Sequence, residues 1–315
     1  MAGPLLVTGA TGFAGSHLVE HLLQYEPALT AWSNPRGTPA PPADPRITWS
    51  PVDLLDRSAV RSAIDALKPS VVYHCAGAAD VGNSWKDPVT PLRVNGLGTH
   101  HLLDALGATG STATVVVVGS ATVYRTTTDP LTEDAPLGPS SPYGVSKLAQ
   151  EMIASRVTSI PVVVVRQFNH AGPRQSPAYV TSSFARQIAE IEAGLAEPVL
   201  SVGNLDARRD ITDVRDVVGA YRLLAEKGRP RRPYNVCSGR AHRIGDVLDM
   251  LLARARRAIR IEIDPSRLRP SDQPVILGDP TRARTEVGWQ AAIPIEDTLT
   301  DLLDYWRHRV ALARS

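Results

Sequence analysis

Gly9-Ala-Thr-Gly12-Phe-Ala-Gly15 is the stretch on which the fold of this chain turns. Just before it, residues 4–8 (Pro-Leu-Leu-Val-Thr) form a short apolar run that predicts a buried strand. Just after it, apolar positions recur at helical spacing over residues 13–23. The glycines therefore fall at a strand-to-helix turn. There a residue without a Cβ lets the backbone approach a pyrophosphate, and the start of the helix offers partial positive charge. The turn residues Gly9, Thr11, Gly12, Phe13, Ala14 and Gly15 are the expected phosphate cradle, acting mostly through the N–H groups of Thr11 to Ala14.

Working outward, strand-like runs recur at 29–33, 47–52, 71–75, 114–119 and 162–166, with helical patterns between most of them, notably 58–67, 92–106 and 142–156. This alternation predicts an α/β chain with a Rossmann-type doubly wound parallel sheet, its ligands outside the carboxyl ends of the strands. Beyond Arg166 the rhythm breaks. Residues 186–194 and 244–255 look helical and 259–263 strand-like, as in a smaller C-terminal α/β substrate domain, while 214–226 and 234–236 fit a return to the main sheet. The expected division is a dinucleotide-binding domain over 1–166, rejoined by 213–238, and a substrate domain over 167–212 and 239–315. The proline-rich stretch 35–45 reads as a surface loop.

At 315 residues and 43% hydrophobic, the chain can bury a large core. Its net charge of +2 gives no bulk electrostatic case for nucleic acid or an anionic membrane. The longest apolar runs, 114–118 and 161–165, are too short to span a bilayer. Cys75 and Cys237 sit in strand-like contexts without metal spacing, and the N-terminus lacks the layout of a signal peptide. A cytoplasmic protein with free thiols is expected. His74, His170 and His242 show no ligand spacing, so no metal is expected either.

The chemistry centres on Tyr143-Gly-Val-Ser-Lys147. Tyr143 and Lys147 are four apart and can share a helix face. A tyrosine near its reference pKa of about 10 is a poor acid–base group at neutral pH, and a neighbouring ammonium favours its phenolate. An NAD site usually carries a carboxylate at the end of the second strand, but here that stretch is Trp32-Ser-Asn-Pro-Arg36. A 2′-phosphate is not repelled there and Arg36 can pair with it, so NADP(H) is favoured and NAD(H) stays open.

With the glycine turn, Tyr-x-x-x-Lys resembles the extended, nucleotide-sugar-modifying short-chain dehydrogenase/reductases. The resemblance implies that Tyr143 is the proton donor, that Lys147 tunes it, and that Ser120 in Gly119-Ser-Ala-Thr-Val-Tyr124 bonds the reacting oxygen. It implies cofactor contacts at Asp53 and Leu54 near the adenine, at Ala76, Gly77 and Ala78 after the fourth strand, and at Asn95. Dehydratases of this kind place a Glu or an Asp-Glu pair after the Ser/Thr, whereas this chain has Ala121 and Thr122. Ketone reduction or epimerisation remains.

Arg166-Gln-Phe-Asn169 and the stretch 203–217 resemble further segments of that family, while 182–194, Arg208-Arg209-Asp210, 234–239 and 267–272 resemble the GDP-6-deoxy-D-mannose reductases, one branch of it. The implied substrate is a GDP-linked 4-keto-6-deoxy-hexose, contacted by Ser84, Ser120, Asn169, Val180, Arg209, Arg269 and Asp272. Two departures stand out: Arg125 where a glycine is usual, and Gly77-Ala-Ala where relatives often carry Ala-Ala-Gln. The competing readings are a 4-epimerase with tightly held NAD and a non-catalytic NADP-sensing regulator; the Tyr-Lys pair argues against the last. The family also implies a homodimer through helices 92–106 and 142–156.

Overall fold

The computed structural model describes residues 3–39, 44–268 and 273–313. The first half of the chain runs β1 (Leu5–Thr8), α1 (Phe13–Leu22), β2 (Leu29–Ser33), β3 (Ile47–Pro51), α2 (Arg57–Leu67) and β4 (Val71–His74). A helical stretch follows, from α3 (Val89–Pro91) through a wider π-helical turn, Leu92–Leu97, into α4 (Gly98–Ala108). Then come β5 (Thr114–Val118), α5 (Pro142–Arg156) and β6 (Val162–Gln167). The second half runs β7 (Asn169–Ala171), α6 (Val180–Glu192), β8 (Val199–Val202), β9 (Arg208–Asp213), α7 (Val214–Lys227) and β10 (Pro233–Val236). It closes with β11 (Ala241–Arg243), α8 (Ile244–Leu252), β12 (Arg260–Ile263), β13 (Val275–Ile276), α9 (Thr281–Val287) and α10 (Ile295–Leu312).

Seven strands form one parallel sheet in the order β10-β6-β5-β4-β1-β2-β3. Both faces are covered by helices, which is why the strands read as continuous Val/Leu runs rather than alternating ones. Leu5, Val7, Val116, Val163 and Val165 pack with α1, α7 and α9 on one face. Leu6, Val115, Val117, Val162 and Val164 pack with α2, α4 and α5 on the other. The chain leaves β1 in one direction and β4 in the other, so a crevice opens at their carboxyl ends.

Residues around β9 build the smaller layer. β9 pairs with β7, β11 and β13, β8 pairs with β12, and α6, α8 and α10 close an apolar core over them. α7 and β10 carry the chain back to the main sheet, where Pro233 pairs with Val164.

α5 starts and stops where the sequence places it. Ser141 caps it by accepting from the Gly144 N–H, and Pro142 stands in the first turn, where its missing N–H costs nothing. The helix expected over 92–106 is helical throughout, with a wider π-helical turn over Leu92–Leu97 leading directly into α4. Pro91 removes an N–H at its start, and Gly96 and Gly98 loosen the turns that follow, so wider turns are accommodated at Leu92–Leu97. α6 begins at Val180, six residues ahead of the expected start, with Tyr179 at its N-cap and no side-chain cap.

Candidate functional site

The first turn is closed by its own backbone. Gly9 adopts φ +66°, and a Cβ there would lie 2.6 Å from the N and Cα of Ala76. A Cβ on Gly15 would come within 2.1 Å of the Gly9 carbonyl oxygen. Neither position accepts a side chain. Gly12 stands at the N-cap of α1 and offers no side-chain cap, so the leading N–H groups beyond it are left for an anion. The cradle fits a pyrophosphate.

At the expected adenosine end, Asp53 accepts from the Leu55 N–H at 2.9 Å and from Arg36 Nη2 at 2.5 Å. These two bonds, the first more than the second, hold its carboxyl below the usual range. The Arg36 side chain is 80% exposed, so no packing fixes it and it is free to leave Asp53 for a phosphate. The Leu54 carbonyl bonds His101 Nδ1 at 2.9 Å, tying this loop to α4.

Asn95 is fully buried. Its Oδ1 accepts from Ala78 N at 2.9 Å, and its Nδ2 donates to Ala78 O and Ser146 Oγ. It therefore acts on the loop Ala76-Gly77-Ala78 and on α5, with no donor left over for a ligand.

Ser120, Tyr143 and Lys147 come together and are all nearly buried. The Ser120 Oγ accepts from Thr122 N at 3.2 Å and Thr122 Oγ1 at 2.9 Å. With both lone pairs engaged, its one O–H points to a further acceptor, and it bonds the Tyr143 phenol. Burial pushes the Tyr143 pKa well up, Tyr179 adds to this, and the Ser120 bond opposes it. The phenol is thus kept loaded with its proton. Burial lowers Lys147 to about 8. Its ammonium donates to Val118 O and Gln150 Oε1, each at 2.9 Å.

A cavity of about 870 Å³, lined by none of Ser120, Tyr143 and Lys147, is walled by Asn169 from β7, Val180 from α6 and Arg209 from β9. The Arg209 guanidinium donates to the carbonyls of Arg208 and Gln273, which anchors the chain just past residue 272. Ser84 is not brought to the cavity. Its hydroxyl turns inward to the Val81 carbonyl at 2.7 Å, and Asn83, Trp85 and Lys86 form the wall in its place. Arg269 and Asp272 lie outside the described residues.

Tyr179 is one wall residue that the sequence reading does not single out. Its phenol donates to the Ala79 carbonyl at 2.8 Å, tying the start of α6 to the loop after β4. Lys86 and Arg267 add two cations to the same wall. The signal for all three is weak in sequence, because their segments meet only through the tertiary fold.

A model of the family described as GDP-mannose 4,6 dehydratase matches residues 6–302. The chain belongs to that family. It is 35% identical to the GDP-6-deoxy-D-mannose reductase of Pseudomonas aeruginosa, over 98% of this chain and 99% of that protein. To the UDP-glucose 4-epimerase of Bacillus subtilis it is 29% identical, over 94% of this chain and 95% of the epimerase. The structure of RMD from Pseudomonas aeruginosa complexed with NADPH superposes with a TM-score of 0.84 at 33% identity, covering 98% of this chain and 100% of that one. Family membership does not bring the dehydratase carboxylate with it. Ala121 and Thr122 follow Ser120, and Asp80 is the one carboxylate among the described residues of the cavity wall.

Proposed function

We propose that this chain reduces the 4-keto group of GDP-4-dehydro-6-deoxy-D-mannose to GDP-6-deoxy-D-mannose (GDP-D-rhamnose), with NADPH favoured over NADH. The observation that carries this reading is the closure around Ser120. Thr122 spends its hydroxyl on Ser120 where a dehydratase needs a carboxylate, which leaves a proton donor and an oxygen-orienting hydroxyl but no base for elimination.

Bound NADPH contributes hydride donation to the carbonyl carbon. Ser120 turns its O–H to the carbonyl oxygen and fixes the ketone against Tyr143. As negative charge grows on that oxygen, Tyr143 gives up its phenolic proton to it, yielding the alcohol. The Lys147 ammonium offsets the charge left on the Tyr143 oxygen, which recovers a proton from solvent.

The glycine turn, the loops at Asp53-Leu54 and Ala76–Ala78, and Arg36 serve the cofactor in this reading, with Asn95 holding the second loop in place. Asn169, Val180 and Arg209, with Arg269 and Asp272, serve the GDP-sugar in the lobe of residues 167–212 and 239–315. Residues 1–166 and 213–238 make up the cofactor lobe. Arginines suit this task because guanidinium forks match diphosphate oxygens.

The same reading makes the protein a homodimer through the helices of residues 92–106 and 142–156. Val89, Leu92, Leu97, Val145 and Met152 are exposed along α3, the π-helical turn and α5, an apolar surface that a second copy would cover. We place the protein in the cytoplasm, in keeping with two free cysteines and with no described helix long and apolar enough to cross a membrane.

Tightly held NAD and 4-epimerisation is the alternative, because the same three catalytic residues serve it. Cofactor exchange separates the two. A reductase releases nicotinamide nucleotide on desalting and consumes added NADPH in proportion to ketone, while Tyr143→Phe consumes none. Stoichiometric NAD surviving purification, with no NADPH consumed, would sink the proposal.

A further inference from the structure

The mechanism uses Lys147 but does not account for what aims it. An ammonium has three N–H donors. Val118 O and Gln150 Oε1 take two of them, and the third is left on the side of Gly77, whose Cβ, if it had one, would sit 3.4 Å from Nζ. No carboxylate pairs with Lys147 among the described residues, so these two neutral oxygens alone set the direction of the charge.

Gln150 is itself held in one orientation by a buried chain of hydrogen bonds. An ammonium cannot accept, so the amide must present its oxygen to Lys147 and its nitrogen to Thr99. Nε2 donates to Thr99 Oγ1 at 3.0 Å. The same Thr99 oxygen lies 2.8 Å from His74 Nε2, so the imidazole is hydrogen-bonded to the hydroxyl that holds Gln150. The other ring nitrogen, Nδ1, is hydrogen-bonded to Thr8 Oγ1 at 2.8 Å, and that oxygen accepts from Ala76 N at 3.3 Å. Thr8, His74, Thr99 and Gln150 are all 0% exposed. The chain of bonds runs unbroken from the loop after β4 round to the lysine, and the lysine fixes which way the Gln150 amide is turned.

We propose that Gln150 is a positioning residue for the reduction. Its amide oxygen, fixed by Thr99 and His74, holds the Lys147 ammonium so that the remaining N–H faces the cleft at Gly77. The assignment rests on the reductase reading for its catalytic meaning, but not for its geometry. The titratable groups coupled to Lys147 are His74, the last residue of β4, and Cys75 just after it. Burial, with a contribution from Lys147, lowers His74 to about 3, and burial raises Cys75 to about 12. Neither supplies a negative charge near neutrality, so the Gln150 dipole is the adjustable partner.

The chain has four lysines, Lys68, Lys86, Lys147 and Lys227, which makes the test direct. The protein is labelled with [13Cε]lysine and titrated by NMR without cofactor, with Lys147 assigned from the Lys147→Met spectrum. Gln150→Met removes the acceptor and lowers the Lys147 midpoint by about one pH unit. Gln150→Glu keeps the shape and supplies a charged acceptor, raising the midpoint by about the same amount. The basic limb of kcat/KM moves in the same direction in each variant. Opposite shifts establish the assignment. A Lys147 midpoint within about 0.3 unit of the wild-type value in the folded Gln150→Glu protein overturns it, whatever becomes of the methionine variant. Because the titration needs no substrate, it stands even if no NADPH is consumed, so the two readings fail separately.

Discussion

Breaking the ion pair beneath the catalytic helix tests how the site is held. Glu151 follows Lys147 by one turn on α5, and Arg166 lies on β6, the strand beside the one whose carbonyl receives Lys147. Their side chains are 8% and 5% exposed. Arg166 reaches Glu151 through Nε at 3.0 and 3.2 Å and through Nη2 at 2.6 Å, and its Nη1 donates to Tyr124 Oη and Glu133 O. Glu151→Leu leaves the guanidinium buried with only neutral acceptors. Removing one partner of such a pair costs about 3–5 kcal/mol, a large share of the roughly 5–15 kcal/mol typical of folded domains. Arg166→Met should cost less, because a stranded carboxyl can take up a proton whereas a guanidinium cannot shed one. The double variant, apolar on both sides, should be more stable than Glu151→Leu alone, since Tyr124 keeps its own bond to Asn235 at 2.6 Å and the only acceptors that lose a donor, the Tyr124 hydroxyl and the Glu133 carbonyl, are neutral. Urea unfolding of the wild type, both single variants and the double variant gives the coupling energy. Single-variant losses under about 1 kcal/mol, or a double variant as unstable as the sum of the singles, would refute the account.

Tyr143→Phe should lower kcat by about 10²- to 10⁴-fold while NADPH still binds, as followed by nicotinamide fluorescence. Gly15→Ala places a Cβ against the Gly9 carbonyl, which cannot yield as a flexible side chain would. It should cost about 1–3 kcal/mol and abolish the rise in melting temperature on adding NADPH, as read by a thermal-shift assay. In the pH profile of kcat/KM, which reports the free enzyme, activity should fall as pH rises through about 8, where Lys147 loses its proton. Burial keeps the Tyr143 proton in place across that range, so this limb belongs to the lysine.

Much of the cofactor half is legible in the sequence because its signals are local. The run Val-Val-Val-Val at 115–118 can only be a strand buried on both faces, and Ser141-Pro142 announces the start of α5 to the residue. The spacing of Tyr143 and Lys147 on that helix carries the catalytic pair. The substrate half is harder for physical reasons. β9 is Arg-Arg-Asp-Ile-Thr-Asp, polar enough to resemble a loop, and it is a strand because β7, β11 and β13 pair around it. The first turn of α6, Val-Thr-Ser-Ser, has poor helix formers and no capping side chain, so its start depends on packing against α10 and α8. The cavity wall gathers Trp85, Tyr179, Arg209 and Arg267 from four separate segments, and no spacing along the chain announces that meeting. Ser84 illustrates the same limit. Which of the neighbours at 83–86 faces the cavity is decided by one short turn and the bond from Ser84 to Val81.

The central claim is that hydride passes from an exchangeable nicotinamide to C4 of the sugar and stays there. The most direct test is to supply NADPH deuterated at nicotinamide C4, on the face that is transferred, together with freshly generated GDP-4-dehydro-6-deoxy-D-mannose, and to locate the label by NMR. The account predicts one deuterium at C4 of a single GDP-6-deoxyhexose product for each NADPH consumed. A converted sugar that carries no deuterium, with the NADPH intact, would contradict it.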